Sequence, residues 1–202
     1  MTKKFGIVGD PISHSLSPLL HNYWFNKYNI DADYSILKVK DNNLSDIIEK
    51  IKTKDLFGIN VTLPYKQQIV PLLDILVNDA ELTSSVNTVY LDDQKKIVGD
   101  NTDVFGLQAA YLKEVDSAIG KRALVIGAGG VSPSVIFSLQ KSGIKNISII
   151  NRTIEKCIFL KNKFKNLKII EWKKLRDEMK NFDIIINATS LGLKGNKDFD
   201  FN

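Results

Sequence analysis

Cysteine is almost missing from this 202-residue chain, which has only Cys157. A single thiol excludes an internal disulfide framework and a cysteine-built metal cage, and it fits a reducing compartment. Histidine is equally scarce. His14 and His21 have no third metal ligand near them in the sequence, so both read as structural. No apolar run approaches the roughly eighteen residues of a membrane span, and the N-terminus lacks the apolar core of a signal peptide. There is no internal repeat and no low-complexity linker. These absences exclude membrane and secreted disulfide classes and point to a cytoplasmic globular protein. Its 44% hydrophobic and 25% charged residues allow one large or two small cored domains. The net charge is +5, but the basic residues are scattered. Their densest stretch, Lys161 to Lys174, carries no regular series of aromatics for base stacking. It reads as a solvated face, not a nucleic-acid surface, although anionic small molecules suit the charge.

What is present centres on Ala123-Leu-Val-Ile-Gly-Ala-Gly-Gly-Val-Ser132. Ala123 to Ile126 reads as a buried strand. Gly127 suits a tight turn, Gly129 and Gly130 allow backbone N–H groups to approach a phosphate, and Val131 onward can open a helix. Ser132 holds the place of the third glycine in the usual GxGxxG pattern, so the motif is weak without its context. That context is supplied after Gly120, where strands and helices alternate: Arg122–Ile126, helix 131–142, Asn146–Ile150, helix 154–164, strand Leu167–Ile170, helix 173–179 and strand 183–187. Continuous apolar strands in this alternation predict a parallel sheet covered on both faces. The second strand ends in Asn151-Arg152-Thr153, where an NAD site usually has an acid for the ribose hydroxyl. Arg152, with Lys156 one helical turn beyond Thr153, favours the 2′-phosphate of NADP. Thr153 can also cap the next helix. Asn187-Ala188-Thr189-Ser190 ends a later strand and is a second candidate contact, since ligands of such sheets lie beyond the strands' carboxyl ends.

The first half carries strands over 4–8, 34–39 and 56–61, with an amphipathic helix over 44–51 whose Leu44, Ile47, Ile48 and Ile51 face inward. Ser17 can cap a helix with Pro18 at its first position, and Leu19, Leu20, Tyr23, Trp24 and Lys27 follow at helical spacing. Tyr23 with Lys27 mimics the Tyr-x-x-x-Lys pair of short-chain dehydrogenases. It precedes the glycine turn, so Tyr23 is expected to be a core-facing aromatic beside a solvated lysine. A helical pattern runs through 69–76, a hairpin turn lies at 92–95, and a helix is expected from about 104 to 114. Four polar clusters sit at strand ends: Ser15-Leu16-Ser17, Asn60 to Lys66, Asn87-Thr88 and Asp100 to Asp103. Singly they are ordinary turn chemistry.

Together, and in this order, they resemble the shikimate dehydrogenase family. Its GxPIxHSxSP, NVTxPxK, VNT, GDNTD, GAGG, NRT and NATS motifs match 9–18, 60–66, 86–88, 99–103, 127–130, 151–153 and 187–190. The resemblance implies an α/β fold with a substrate-binding domain over 1–101, followed by a Rossmann-like doubly wound NADP-binding domain over 102–202 that is C-terminally incomplete. It implies reversible NADPH-dependent reduction of 3-dehydroshikimate to shikimate. Ser15 and Ser17 would hold the substrate carboxylate, while Thr62, Asn87 and Asp103 would bind ring hydroxyls. Lys66 would lie beside the reacting carbonyl next to Asp103, making these two the catalytic pair. Gly127, Ala128, Gly129, Gly130, Val131, Asn151, Arg152, Thr153, Lys156, Ala188, Thr189 and Ser190 would form the cofactor site, with no metal. Two alternatives stay open: an NAD-using quinate/shikimate dehydrogenase, kept open by Glu155, and a non-catalytic NADP- or shikimate-binding module. The family includes monomers and dimers, which leaves a homodimer open.

The family's C-terminal part, with a GLGML-like loop near the nicotinamide and a substrate-binding glutamine, does not follow Asn202. The 202-residue chain alone is therefore expected to be poorly active. A purified sample that reduces NADP with shikimate at a normal rate would refute this.

Overall fold

A computed structural model describes residues 2–39, 43–114 and 120–192. The chain divides into two compact units, Met1–Thr102 and Asp103–Asn202.

The first unit is built on a six-stranded sheet of β1 (Lys3–Val8), β2 (Ala32–Leu37), β3 (Gly58–Val61), β4 (Ile75–Leu76), β5 (Thr88–Leu91) and β6 (Ile97–Asp100). The strands are ordered β2-β1-β3-β5-β6-β4. β1 pairs in parallel with β2 and β3, whereas β5 runs antiparallel to both β3 and β6. The mixed directions bring the ends of β1, β3 and β6 and the start of β5 to one edge: Val8 pairs with Val61, Asn60 with Thr88, and Thr88 with Asp100. The hairpin between β5 and β6 is held by Asp92, whose Oδ1 accepts from the N–H groups of Gln94 and Lys96 at 2.9 and 2.7 Å.

The expected amphipathic helix forms as α2 (Ser45–Lys52). Ile47, Ile48 and Ile51 are buried, and Leu44 just before it is buried too. They join Val8, Ile59, Val61 and Val89 in one core. Each such isoleucine contributes about 1.5–3 kcal/mol relative to exposure. The helical pattern over 69–76 does not become one helix. α3 (Tyr65–Gln68) gives way to a 3-10 turn, Val70–Leu72, and then to β4. Pro71 removes a donor there, and Asp74 is drawn to β6. Its N–H donates to the Ile97 carbonyl at 2.9 Å, and its Oδ2 accepts from the Ile97 N–H at 2.7 Å. A short α4 (Asp79–Thr83) follows.

The first helix, α1 (Ser17–Lys27), corrects two expectations. Leu16, not Ser17, holds the cap position, and Ser15 Oγ accepts from the Ser17 N–H at 3.2 Å. The half-buried face is Pro18, His21, Asn22 and Phe25, with Phe25 packed on Phe5 at 5.8 Å between ring centroids. The more apolar stripe lies one residue, about 100°, around the helix. Tyr23 is consequently 55% exposed, not core-facing, and Leu19 is 73% exposed. Lys27 Nζ lies 5.8 Å from the Tyr23 ring centroid and 4.9 Å from that of Trp24.

The second unit opens with α5 (Asp103–Ala110) and a 3-10 turn at Leu112–Glu114, so the helix expected to about 114 ends early. Four parallel strands follow: β7 (Arg122–Ile126), β8 (Asn146–Ile150), β9 (Leu167–Ile170) and β10 (Ile184–Asn187), ordered β10-β7-β8-β9. The alternation of the strands explains their continuous apolar character. Ala123, Val125, Ile147 and Ile149 pack with α6 (Ser132–Lys141) and α7 (Ile154–Lys163). Leu124, Ile126 and Ile150 pack on the other face with Leu175 of α8 (Leu175–Glu178). The expected helix over 173–179 is interrupted, because 3-10 turns flank α8 on both sides. The fold is therefore α/β, with a doubly wound parallel sheet in its second unit. Among the described residues no helix is long and apolar enough to cross a membrane, and no group of three or more His, Cys, Asp or Glu could hold a metal ion.

Cys157 is completely buried under this sheet, and burial pushes its thiol up to about 11. The thiolate is the reactive species. At about pH 8 the folded chain should resist alkylation by iodoacetamide, and denaturant should expose one reactive thiol. Rapid labelling of the native chain in intact-mass spectra would contradict this burial.

Candidate functional site

At the shared edge of the first sheet, loops leave the strands and their backbone groups need new partners. β1 runs into the segment 9–16, and β3 into 62–64. The two are joined where the Thr62 N–H donates to the Val8 carbonyl and the Asp10 N–H to the Leu63 carbonyl, both at 2.9 Å. A side chain at Gly9 would collide with Thr62. The Thr62 carbonyl accepts from the Tyr65 N–H at 2.9 Å, starting α3, which carries Lys66 in its single turn. The Lys66 carbonyl takes the Val86 N–H at 2.9 Å, fastening α3 beside the 86–88 segment. Ser15, Ser17, Thr62, Lys66 and Asn87 are all half-buried.

Asn87 is the hub of this edge. Its carbonyl accepts from the Val61 N–H at 2.9 Å, and its own N–H donates to the Asp100 carbonyl at 3.0 Å. Its side-chain Nδ2 donates to Thr102 Oγ1 at 2.9 Å, while Oδ1 accepts from the Thr102 N–H and the Thr88 hydroxyl, each at 3.0 Å. Asn101 anchors the next segment from beneath. It is buried, and its Nδ2 donates to the Ser85 carbonyl at 2.6 Å. The Asn101 N–H in turn donates to Asp100 Oδ1 at 2.7 Å. Asp103 is the first residue of α5 and belongs to the second unit. The structure thus brings five of the six expected substrate residues to one edge of the first unit, with Asp103 heading the second.

Sequence reasoning missed Tyr34, Asn60, Asn101 and Thr102 as parts of this scaffold. Asn60, Asn101 and Thr102 lay inside motifs, which was a usable signal. Tyr34 sits in β2 with no local motif, and only tertiary structure reveals its reach.

In the second unit the strand order reverses between β7 and β10 while the strands stay parallel, and ligands of such sheets bind beyond the carboxyl ends at that point. The glycine turn and the 187–190 segment meet there. Gly127 has φ +112°, and a Cβ on it would lie 2.7 Å from Thr189 Cγ2 and 2.8 Å from the Ala188 carbonyl oxygen. Ser132, in the third glycine's place, is buried. Its hydroxyl donates back to the Gly127 carbonyl at 3.0 Å, closing the turn as α6 begins. Pro133 lies in the first turn of α6, where its missing N–H costs no intrahelical bond. Asn151 links β8 to the turn, with Oδ1 accepting from the Ala128 N–H at 3.3 Å and Nδ2 donating to the Thr153 carbonyl at 2.9 Å. Thr153 occupies the cap position of α7 but makes no side-chain cap bond, contrary to expectation. Arg152, Thr153 and Lys156 are exposed, and neither cation pairs with a carboxylate among the described residues. Asn187 shapes the last segment by accepting from the Thr189 N–H at 2.9 Å and donating to the Leu191 carbonyl at 3.0 Å.

These features recur in known proteins. Residues 7–89 match the shikimate dehydrogenase substrate binding domain, and residues 110–193 match the shikimate / quinate 5-dehydrogenase family. The NADP(+) shikimate dehydrogenase of Pelagibacter ubique (strain HTCC1062) is 44% identical over 100% of this chain and 74% of its own length. The chain belongs to the shikimate dehydrogenase family. The shikimate dehydrogenase crystal structure from Aquifex aeolicus superposes with a TM-score of 0.89 at 35% identity, covering 100% of this chain and 74% of that one. The shikimate 5-dehydrogenase of Listeria monocytogenes, solved in complex with shikimate and NAD, gives a TM-score of 0.77 at 34% identity. There the coverage is 96% of this chain and 70% of the other. This shikimate dehydrogenase family member therefore spans about three quarters of the length of such relatives.

The crowding at Gly127 generates a prediction. Gly127→Ala introduces a left-handed strain of about 1–3 kcal/mol and a clash with Ala188 and Thr189. A lowered melting temperature is expected, together with at least about tenfold weaker NADP binding by nucleotide fluorescence titration. Unchanged NADP affinity would show that the turn does not shape the nucleotide site.

Proposed function

We propose that the chain catalyses the reversible NADPH-dependent reduction of 3-dehydroshikimate to shikimate, a step toward chorismate and the aromatic amino acids. The observation that carries this reading is the meeting of Ser15, Ser17, Thr62, Lys66 and Asn87 at one sheet edge, on loops tied together by backbone and amide hydrogen bonds. Hydroxyls, an amide and an ammonium suit a polyhydroxylated acid and not an apolar ligand.

In this reading the first unit binds substrate and the second binds NADP. Ser15 and Ser17 donate to the substrate carboxylate, and Thr62, Asn87 and Asp103 hold ring hydroxyls. When bound, NADPH supplies the hydride that reduces the carbonyl carbon. The carbonyl oxygen gains negative charge as the hydride arrives, and Lys66 meets that charge as cation and proton donor. In the oxidising direction the same amine, deprotonated, takes the hydroxyl proton. Asp103, whose carboxylate oxygens accept hydrogen bonds, orients the hydroxyl it binds.

The residues of the second unit fit the cofactor. The glycine turn runs from Gly127 through Ala128, Gly129, Gly130 and Val131, with Ala188 and Thr189 packed against Gly127 and Ser190 next in the chain, and Asn151 ties the turn to β8. Exposed Arg152 and Lys156, with the Thr153 hydroxyl, supply donors for a 2′-phosphate. That charge pattern favours NADP over NAD, and it weighs against the quinate/NAD alternative. The required partner is the small-molecule substrate, and the setting this role fits is the cytoplasm.

The test is an assay of NADP and NAD with shikimate and with quinate. NADP with shikimate should be the preferred pair. Lys66→Ala should lower that turnover by at least about a hundredfold while NADP affinity stays within about twofold. Equal loss of NADP binding, or turnover that survives the substitution, would defeat the role given to Lys66. Binding of both ligands with no detectable turnover, and not merely the low rate expected of this chain, would favour a non-catalytic module.

A further inference from the structure

Tyr34 is buried, 3% exposed, in a strand that carries none of the expected site residues. Its backbone is clamped by Asn22 of α1, which donates from Nδ2 to the Tyr34 carbonyl and accepts from the Tyr34 N–H, both at 2.9 Å. Its ring lies flat on His21, with centroids 4.2 Å apart and planes 6° from parallel. Register explains where the phenol goes. Tyr34 is level with Phe5, and Asn60 is level with Ile7 two residues further along β1. Cross-strand partners share a face and residues two apart share a face, so Tyr34 and Asn60 lie on the same side of the sheet with β1 between them. The tyrosine spans that strand, and its hydroxyl donates to Asn60 Oδ1 at 2.7 Å.

The direction of this bond is fixed by the rest of the network. Asn60 Nδ2 donates to the Asn87 carbonyl and to Thr88 Oγ1, each at 3.2 Å, so its Oδ1 is turned to Tyr34. A phenol has one proton, and here Asn60 takes it. Burial raises the phenol far above its ordinary range and keeps it protonated throughout the physiological span. One hydroxyl thus joins β2 to Asn60, and through Asn60 to the backbone of Asn87.

We propose that Tyr34 is a positioning residue for substrate. Its hydroxyl sets the placement of Asn60 and, through Asn60, of Asn87, so that the amide which grips a substrate hydroxyl is held in place from beneath the loops. The inference rests on the substrate site proposed above. Tyr34 does not touch the reacting atoms, and its effect falls on substrate affinity and not on the nucleotide.

Tyr34→Phe tests this, because it removes one oxygen and leaves the ring, its stacking on His21 and the Asn22 clamp in place. Calorimetric titration of the purified chain with shikimate should show about five- to tenfold weaker binding in the variant, the scale of one hydrogen bond that orders a site. Binding of NADP should stay within about twofold. Asn60→Ala should weaken shikimate binding by at least as much. The double variant should be no weaker than Asn60→Ala alone within about twofold, since both substitutions break one relay. A tyrosine that merely fills the core would leave shikimate affinity unchanged in Tyr34→Phe, and that result overturns the proposal. Multiplicative losses in the double variant overturn the relay as its route. An unmodified chain that binds NADP but not shikimate would instead overturn the substrate site on which the proposal rests.

Discussion

Backbone groups at the end of a β-strand lose the partners that the ladder supplied, and the first unit meets this loss at four strand ends on one edge. Buried or half-buried amides and carbonyls left without partners there would cost about 1–3 kcal/mol each. Asparagine side chains take up the demand, because a carboxamide donates and accepts from one short side chain. Asn60 reaches the Asn87 carbonyl and Thr88, Asn87 reaches Thr102, and Asn101 reaches Ser85. The loops that carry Thr62, Lys66 and Asn87 hold their places because these amides are satisfied. The same chemistry that closes the loops also makes the edge polar enough to receive a polyhydroxylated ligand.

The second unit solves a different problem with backbone shape. Its chain winds along one face of the sheet through α6 and α7, then returns on the other face through α8 to place β10 beside β7. Two strand ends then crowd the same point. Gly127 is the residue that admits the Ala188–Thr189 segment so closely. The serine at the third glycine position needs no extra room, because its hydroxyl folds back on the turn. The turn therefore departs from the usual pattern in letters and keeps it in geometry.

The motifs were legible in the sequence because their residues do local work. Glycine in a tight turn, asparagine at a strand end and strands of branched residues each carry a conformational reason readable one segment at a time. The alternation after Gly120 gave the parallel sheet for the same reason. What was not legible depends on partners remote in the chain. The spacing of Leu19, Leu20, Tyr23 and Trp24 predicted the wrong inward face for α1. The sheet is in fact met by Pro18, His21, Asn22 and Phe25, whose polar members have specific work: Asn22 clamps the backbone of Tyr34 and His21 stacks on its ring. Helix 69–76 failed because Asp74 gains two hydrogen bonds to Ile97, an exchange that no window of local periodicity includes. Caps at Ser17 and Thr153 were predicted from residue type alone. Ser17 lies inside the helix because Leu16 holds the cap position and Ser15 accepts the Ser17 N–H, and Thr153 shares its turn with Asn151, whose amide donates to the Thr153 carbonyl.

Tyr34 shows what a reading of the first unit motif by motif leaves out. Its neighbours in β2 give it the appearance of an ordinary strand aromatic, and burial supports that reading. A buried phenol nevertheless requires partners for its oxygen, and the partners within reach across β1 belong to the loop scaffold. Satisfying the tyrosine therefore couples it to Asn60, a residue far away in the chain that no local rule would pair with it. This buried phenol sits on a strand and not on the loops. One side chain thus packs its ring on His21 and spends its oxygen on the asparagine that braces the strand ends.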